Sequence, residues 1–477
     1  MSNRNESLPI LVVDLDGTLI KSDMLLESFW SSFARDWRTP FFAASGLMRG
    51  RAALKARLAN RWPPDVSTLP YSREVLDFIE SWRDSGGKTA LVTASDQRIA
   101  DRIAQHLGIF DEAHGSDGET NLKGPAKAAF LVERFGENAF YYAGDTTADL
   151  PVWEAAADAV TVGLKPALKA KVDAMHPKAT HLAPPKSSLP AIMKAMRPHQ
   201  WLKNLLIFFP LLAAHILDTG SLIQAALAFV AFSLVASSVY LLNDLLDLDA
   251  DRSHPRKCRR PLASGAMPLS QGMVIMPILL IAGVAIAIML APLFLLVLAV
   301  YYLLTLTYSL WLKRKPIIDI CTLASLYTLR VAAGGAATDI PLSVWLLAFS
   351  AFLFFSLAAV KRQAELVDMA NRGLEVVAGR GYRVGDLPIV AQMATASGFV
   401  AVLVMMLYLN EPSVMTRYHN PTLIWGACLI LLYWIARMIL ISQRGKMEDD
   451  PVVFAARDRV SQIAFILIIG LFIGAGL

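Results

Sequence analysis

The chain has 477 residues, of which 55% are hydrophobic and 18% charged, with a formal net charge of +5 at pH 7. A mean hydropathy of +0.46 is too high for a single water-soluble globule. The scattered cysteines Cys258, Cys321 and Cys428 give no disulfide framework or zinc site, and the modest positive charge lacks the aromatic–basic interleaving expected of a nucleic-acid binder.

The apolarity is uneven along the chain. Residues 1–182 interleave charges throughout, residues 183–193 read as a Pro/Ser-rich linker, and residues 194–477 are built of long apolar runs. The polar amino terminus MSNRNESLP leads straight into a strand, so no signal peptide is expected. Ile10-Leu-Val-Val13 is a short β-branched run, predicted to be a buried parallel strand. It ends in Asp14-Leu-Asp16-Gly17-Thr18, with two carboxylates where α/β folds place their chemistry. Asp14 can attack phosphorus while Asp16 protonates the leaving oxygen. Residues 24 to about 80 carry aromatic and basic helical patterns that suit a helical insert. A second strand from Lys88 ends in Thr93-Ala-Ser95, and Lys123 and Lys127 stand before a helix in Asn121-Leu-Lys-Gly-Pro-Ala-Lys127. A third strand from Ala139 ends in Gly144-Asp145-Thr-Thr-Ala-Asp149.

This ordered set resembles the haloacid dehalogenase (HAD) phosphatase superfamily. The resemblance implies an α/β Rossmann-like HAD domain with a helical cap. It makes Asp14 the nucleophile and Asp16 the acid/base. Thr93 would bind the phosphoryl group, Lys127 or else Lys123 would neutralise it, and Asp14, Asp145 and Asp149 would hold Mg²⁺. P-type cation pumps share such a segment, but there an Asp-Lys-Thr-Gly-Thr string lies between membrane helices. Here Leu15 follows Asp14 and the segment precedes every apolar run.

Arg197-Pro-His-Gln-Trp201-Leu-Lys203-Asn204 opens the apolar half. Runs of about twenty residues then start near Leu205, Leu222, Met273, Pro292, Ile317, Leu342, Ile389, Leu423 and Ile463, predicting about nine spans. After the second comes Asn243-Asp244-Leu-Leu-Asp247-Leu-Asp249-Ala-Asp251, followed by Arg252, Arg256, Lys257, Arg259 and Arg260. Asp244, Asp247 and Asp251 share one face of a helix and repel one another unless a cation lies between them. Oxygen ligands beside substrate phosphates are the usual setting for Mg²⁺. The loops after the second, fourth, sixth and eighth runs are basic, whereas the opposite turns hold only Arg417. The positive-inside rule therefore places the soluble half and both candidate active sites in the cytoplasm, on a bacterial-type inner (cell) membrane. Arg330, inside an apolar run, is by default a functional or bundle-pairing residue.

The aspartate motif resembles the UbiA-type intramembrane prenyltransferase superfamily, which implies an all-α polytopic membrane bundle. By that resemblance Asn243, Asp244, Asp247 and Asp251 bind Mg²⁺ and a substrate diphosphate, with Asp244 and Asp247 catalytic. Most members carry a second aspartate-rich motif, but here its place is taken by Lys361-Arg362-Gln-Ala-Glu365. Together with Arg197–Asn204, Arg256–Arg260, Tyr308, Lys313, Asp319 and Arg380-Gly-Tyr382, this resembles the decaprenyl-phosphate phosphoribosyltransferase branch. The implied donor is phosphoribosyl diphosphate and the implied acceptor a polyprenyl phosphate lipid. Lys203, Lys361 and Arg362 are expected to cradle the lipid phosphate. Asn204, Asn243, Arg256, Lys257, Arg259, Arg260, Tyr308, Lys313, Glu365 and Tyr382 are expected to complete substrate binding.

The expectation is one membrane-bound chain that transfers 5-phosphoribose to polyprenyl phosphate and then removes the 5-phosphate, in cell-envelope biosynthesis. Two alternatives stay open. One is an aromatic-acceptor prenyltransferase using a polyprenyl diphosphate, with a HAD domain of separate or regulatory role; the other is a soluble half that serves as a non-catalytic sensor or docking module. A homo-oligomer is also left open.

Overall fold

The computed structural model describes residues 8–48, 50–117, 121–182, 189–375, 380–409, 418–420, 422–447 and 450–476. By its contacts the chain divides into two compact units, residues 1–196 with 240–276, and residues 197–239 with 277–477.

The first unit is built on six parallel strands, β1 (Ile10–Val13), β2 (Thr89–Asp96), β3 (Glu112–Ser116), β4 (Phe140–Gly144), β5 (Asp158–Val162) and β6 (Thr180–Leu182), in the order β3-β2-β1-β4-β5-β6. Parallel strands need crossovers, and helices supply them on both faces. The strand period of two divides β1 between two cores. Leu11 and Val13 join Ile79, Ile99 and Ile103 on one side, while Val12 joins Leu131, Tyr142 and Trp153 on the other. Each of the three is fully buried, worth about 1.5–3 kcal/mol apiece. The order reverses beside β1, and three of the four phosphatase-like motifs lie at the carboxyl ends of β1, β2 and β4, where open α/β sheets bind ligands.

The expected insert is helical: α1 (Met24–Arg35), α2 (Thr39–Leu47), α3 (Arg51–Arg61) and α4 (Arg73–Asp84). Asp23 caps α1 by accepting the N–H groups of Leu25 at 2.9 Å and Leu26 at 3.2 Å. Helices α5 (Gln97–Leu107), α6 (Pro125–Phe135), α7 (Leu150–Ala155) and α8 (Pro166–Met175) complete the layers. Residues 183–188 of the expected linker lie outside the described residues, and α9 (Leu189–Met196) follows.

The run expected to span from Leu205 does not form a long helix. It is a 3₁₀ stretch, Pro198–Phe208, followed by the short α10 (Phe209–Ala214), which ends at His215 with φ +58°. Pro210 lacks the N–H that a continuous helix would need there. Seven helices among the described residues are long and apolar enough to cross a membrane. They are α11 (Thr219–Leu246), α13 (Leu269–Ile288), α14 (Pro292–Leu310), α15 (Ile318–Thr338), α16 (Val344–Asn371), α17 (Leu387–Leu409) and α18 (Thr422–Gln443), with the short α12 (Leu248–Arg252) after the first. A bent pair, α19 (Pro451–Arg457) and α20 (Arg459–Gly476), makes eight if it is one span. The sequence count of about nine is thus approximate. In the second unit, Ile320, Val331, Phe354, Leu357, Ile424 and Ile435 anchor the core around α15, α16 and α18.

Candidate functional site

At the sheet's carboxyl edge the phosphatase-like residues converge. Asp14 leaves β1 with its N–H bonded to Ala143 O at 3.0 Å, and its Oδ1 receives Lys127 Nζ at 2.7 Å. Lys127 is buried and also donates to Tyr142 Oη at 3.0 Å, whereas Lys123 is exposed. Of the two lysines the sequence left open, Lys127 is the one brought to Asp14. Tyr142 donates to Asp149 Oδ1 at 2.8 Å, and Asp149 Oδ2 accepts Thr146 N at 2.9 Å. Asp16 accepts the Met24 N–H at 2.7 Å and Ser95 Oγ at 3.0 Å. Thr93 lies fully buried under this loop, its Oγ1 accepting the Ser95 N–H at 3.0 Å.

Carboxylate oxygens of Asp14, Asp145 and Asp149 lie within 4.8 Å of one another. Burial raises Asp14, and Lys127 opposes the rise. Burial, then the charges of Asp14 and Asp149, push Asp145 up to about 8. Burial, with Asp23 and Asp14, pushes Asp16 up to about 7. Asp145 Oδ1 is enclosed and makes no hydrogen bond among the described residues. Crowded carboxylates with an unsatisfied buried oxygen fit a divalent cation bound by oxygen ligands.

The aspartate motif crosses a break in the helix. Asn243 and Asp244 lie in the last turn of α11, Asp247 stands at the N-terminal boundary of α12 without a side-chain capping bond, and Asp251 lies within α12. Helical bonding carries across the break, with Asp247 N on Asn243 O at 2.9 Å and Asp251 N on Asp247 O at 2.7 Å. Arg260 folds back to pair with Asp244 at 3.1 Å and with Asp251. Arg256, Lys257 and Arg259 are exposed. Asn243 Oδ1 is buried without a hydrogen-bond partner among the described residues. These carboxylate and amide oxygens are ligand types that Mg²⁺ takes, but among the described residues Asp244, Asp247 and Asp251 do not bring three oxygens together as Asp14, Asp145 and Asp149 do, and Arg260 stands on two of them.

The second unit holds two charged clusters. Arg362 is wholly enclosed, with Nε 2.7 Å from Asp319 Oδ2 and a further bond to Glu365. Arg380 reaches Glu365 at 3.3 Å and Asp319 at 3.4 Å, and Tyr308 donates to Asp319 at 2.9 Å. Two arginines face two carboxylates, so this cluster is balanced. Arg362, expected in the lipid-phosphate cradle, is instead turned into this buried network and orients Asp319 and Glu365. Tyr382 is likewise buried, its hydroxyl accepting the Ile317 N–H at 2.7 Å. Ile317 carries φ +67°, a strained value for a β-branched residue. Lys313 is half-buried on the loop between.

The other cluster was only half legible in the sequence. Lys203 and Lys361 converge on Asp450 Oδ2 at 2.7 and 3.0 Å, and Tyr327 donates to Asp450 Oδ1 at 2.8 Å. Arg330 is buried nearby. It donates to Asn204 Oδ1 at 2.9 Å and Tyr301 Oη at 3.2 Å, with its guanidinium 5.3 Å from the Phe232 ring centroid. Among the described residues no carboxylate forms an ion pair with Arg330. Among the described residues, three cations stand near one carboxylate inside an apolar bundle, and such an excess of charge is stabilised when an anion joins it.

A helical bundle with seven or eight apolar spans among the described residues and an Asn-Asp-x-x-Asp motif, preceded by a phosphatase-like parallel sheet, is the make-up of an intramembrane transferase joined to a hydrolase domain. The model of the UbiA prenyltransferase family matches residues 205–469, and that of the haloacid dehalogenase-like hydrolases matches residues 11–154. The chain belongs to the UbiA prenyltransferase family and carries a HAD-like domain at its amino-terminal end. It is 40% identical to the uncharacterized protein y4nM of Sinorhizobium fredii, over 98% of this chain and 90% of that protein. It is 36% identical to the nodulation protein NoeC of Azorhizobium caulinodans, over 59% of this chain and 91% of that one. It is 34% identical to decaprenyl-phosphate phosphoribosyltransferase of Mycolicibacterium smegmatis, over 60% of this chain and 92% of that one. Both families are generally Mg²⁺-dependent.

Proposed function

We propose that the chain transfers 5-phosphoribose from phosphoribosyl diphosphate to a polyprenyl phosphate and then removes the 5-phosphate, giving polyprenylphosphoryl ribose. The observation that carries this reading is the unbalanced cluster of Lys203, Lys361 and Arg330 around Asp450. An acceptor that is itself a phosphate supplies the missing negative charge, whereas a neutral aromatic acceptor would leave it uncompensated. The relatives named as decaprenyl-phosphate phosphoribosyltransferases, similar over the membrane part, support the same choice.

In the transfer step an oxygen of the lipid phosphate attacks C1 of the sugar. The C1–oxygen bond to diphosphate breaks, and diphosphate departs with the electron pair. The attacking group is already an anion, so positioning matters more than a general base. Lys203, Lys361 and Arg330 hold it. Asn243, Asp244, Asp247 and Asp251 serve the diphosphate end, Arg256, Lys257, Arg259 and Arg260 its phosphates, and Arg362 with Glu365 and Tyr382 keeps the bundle in register. In the hydrolytic step Asp14 attacks phosphorus, Asp16 gives its proton to the leaving sugar oxygen, and water then releases phosphate from Asp14. Asp14, Asp145 and Asp149 would hold Mg²⁺, which supplies countercharge to the phosphoryl group, and Asn243, Asp244, Asp247 and Asp251 would hold it for the departing diphosphate once Arg260 leaves Asp244 and Asp251.

We assign residues 1–182 to the hydrolytic step, 183–193 to the connection and 194–477 to the transfer. The basic loops support a cytoplasmic face for both steps, and covalent linkage would raise the effective concentration of the second activity near the first product. Membranes given labelled phosphoribosyl diphosphate and polyprenyl phosphate should place label in a lipid that lacks the 5-phosphate. Asp14→Asn should make the 5-phosphorylated lipid accumulate. No label in the lipid would refute the transfer, and unchanged dephosphorylation in Asp14→Asn would refute the coupling of the two steps.

A further inference from the structure

Helix α1 touches both ends of the first unit's chemistry. At its amino terminus the Met24 N–H bonds to Asp16. One turn later Glu27, 1% exposed, takes both terminal nitrogens of Arg252 at 2.7 and 2.9 Å. Ser22 donates to the same carboxylate, and Arg252 Nε bonds to Ala263 O at 3.0 Å. Further along α1, Ser31 donates to Asp249 at 3.1 Å and Arg35 pairs with it at 3.5 Å. Gly265, at φ +71°, lies so close to Lys21 that a Cβ there would come within 2.6 Å of the Lys21 Cβ. Arg252 follows Asp251 directly, and Asp249 lies inside the aspartate motif.

A bidentate pair this deeply enclosed is not a solvated surface bridge. Breaking one such pair leaves a charge buried alone, whereas restoring the complementary charge removes that penalty. A cap helix that opened freely over the phosphatase site would have to expose Glu27 and Arg252 at each opening. The contacts instead fix the helix.

We propose that α1 is a docking element that fixes the phosphatase-like domain onto its own chain's aspartate segment, residues 247–265, through the Glu27–Arg252 pair. The fixed helix ties the hydrolytic site to the segment that handles diphosphate, so that the transfer product is dephosphorylated before it diffuses away. This consequence rests on the proposed two-step reading; the docking itself does not.

The test uses the full-length chain in lipid nanodiscs, comparing wild type, Glu27→Gln, Glu27→Arg and the charge swap Glu27→Arg/Arg252→Glu. In Glu27→Arg, hydrogen-exchange protection should fall together in residues 24–35 and 248–265. The share of labelled lipid still carrying the 5-phosphate should rise several-fold, while hydrolysis of the small soluble ester p-nitrophenyl phosphate stays within a factor of a few. Glu27→Gln should show the same changes more weakly, and the swap should restore protection and product ratio. Unchanged exchange in both single variants, or a swap that restores nothing, would overturn the proposal. If wild type labels no lipid, the two-step reading falls and exchange alone decides the docking.

Discussion

Replacing Asp450 with Asn tests whether one carboxylate holds the cationic cluster together. Asp450 Oδ2 accepts Lys203 at 2.7 Å and Lys361 at 3.0 Å, and its Oδ1 accepts Tyr327 at 2.8 Å and the Val452 N–H at 3.2 Å. The last contact is the cap of α19. Asn caps a helix about as well as Asp, so the helix start survives and the substitution isolates the charge. Two lysines would then face each other in a site where Asp450 is 8% exposed. Removing one partner of a buried ion pair costs about 3–5 kcal/mol. Unfolding in detergent should therefore show a loss of about 3 kcal/mol or more. Lys361→Gln alone should also destabilise, but Asp450→Asn/Lys361→Gln should be less damaging than the sum of the two, a coupling of about 0.5–3 kcal/mol in a double-mutant cycle. The KM for polyprenyl phosphate should change in Asp450→Asn more than that for phosphoribosyl diphosphate. An unfolding midpoint equal to wild type, or strictly additive effects, would refute the reasoning.

Gly17→Ala should abolish most phosphatase activity. Gly17 has φ +78°, and a Cβ there would collide with the Asp145 carboxylate, so a loss on the order of 10²-fold is expected in ester hydrolysis from misplacing that group. Lys127→Met, which removes the donor between Asp14 and Tyr142, should lower the same rate by about 10²–10³-fold without unfolding the sheet, as circular dichroism would show. Tyr382→Phe should destabilise the bundle by about 1–3 kcal/mol, measured by thermal unfolding, because the Ile317 N–H loses its acceptor.

The phosphatase-like residues were legible because each motif is a short string at a strand end, where the chain itself brings Asp14, Thr93 and Asp145 to one edge. The choice of Lys127 over Lys123 needed the helix phase. Asp450 escaped notice because Asp-Pro reads first as a helix start, and nothing local reveals that its side chain serves Lys203, 247 positions away. Arg330 was legible as a functional residue, but its partners Asn204 and Tyr301 are neutral and distant in sequence. Lys361 and Arg362 look like one basic pair. On a helix, neighbours point about 100° apart, which sends one to Asp450 and the other to Asp319. The run near Leu205 misled because hydropathy measures apolar length and is blind to what Pro210 and His215 do to the backbone.

The surplus of positive charge around Asp450 has a consequence for selectivity. Lysine ammonium groups attract any phosphate, so free phosphate and the diphosphate released by transfer would compete for the same cations. Charge alone therefore sets no preference for a lipid. If the acceptor is the proposed polyprenyl phosphate, discrimination falls to its hydrocarbon tail, whose burial would stabilise the complex by about 0.8 kcal/mol per methylene, and product inhibition should weaken as the prenyl chain lengthens.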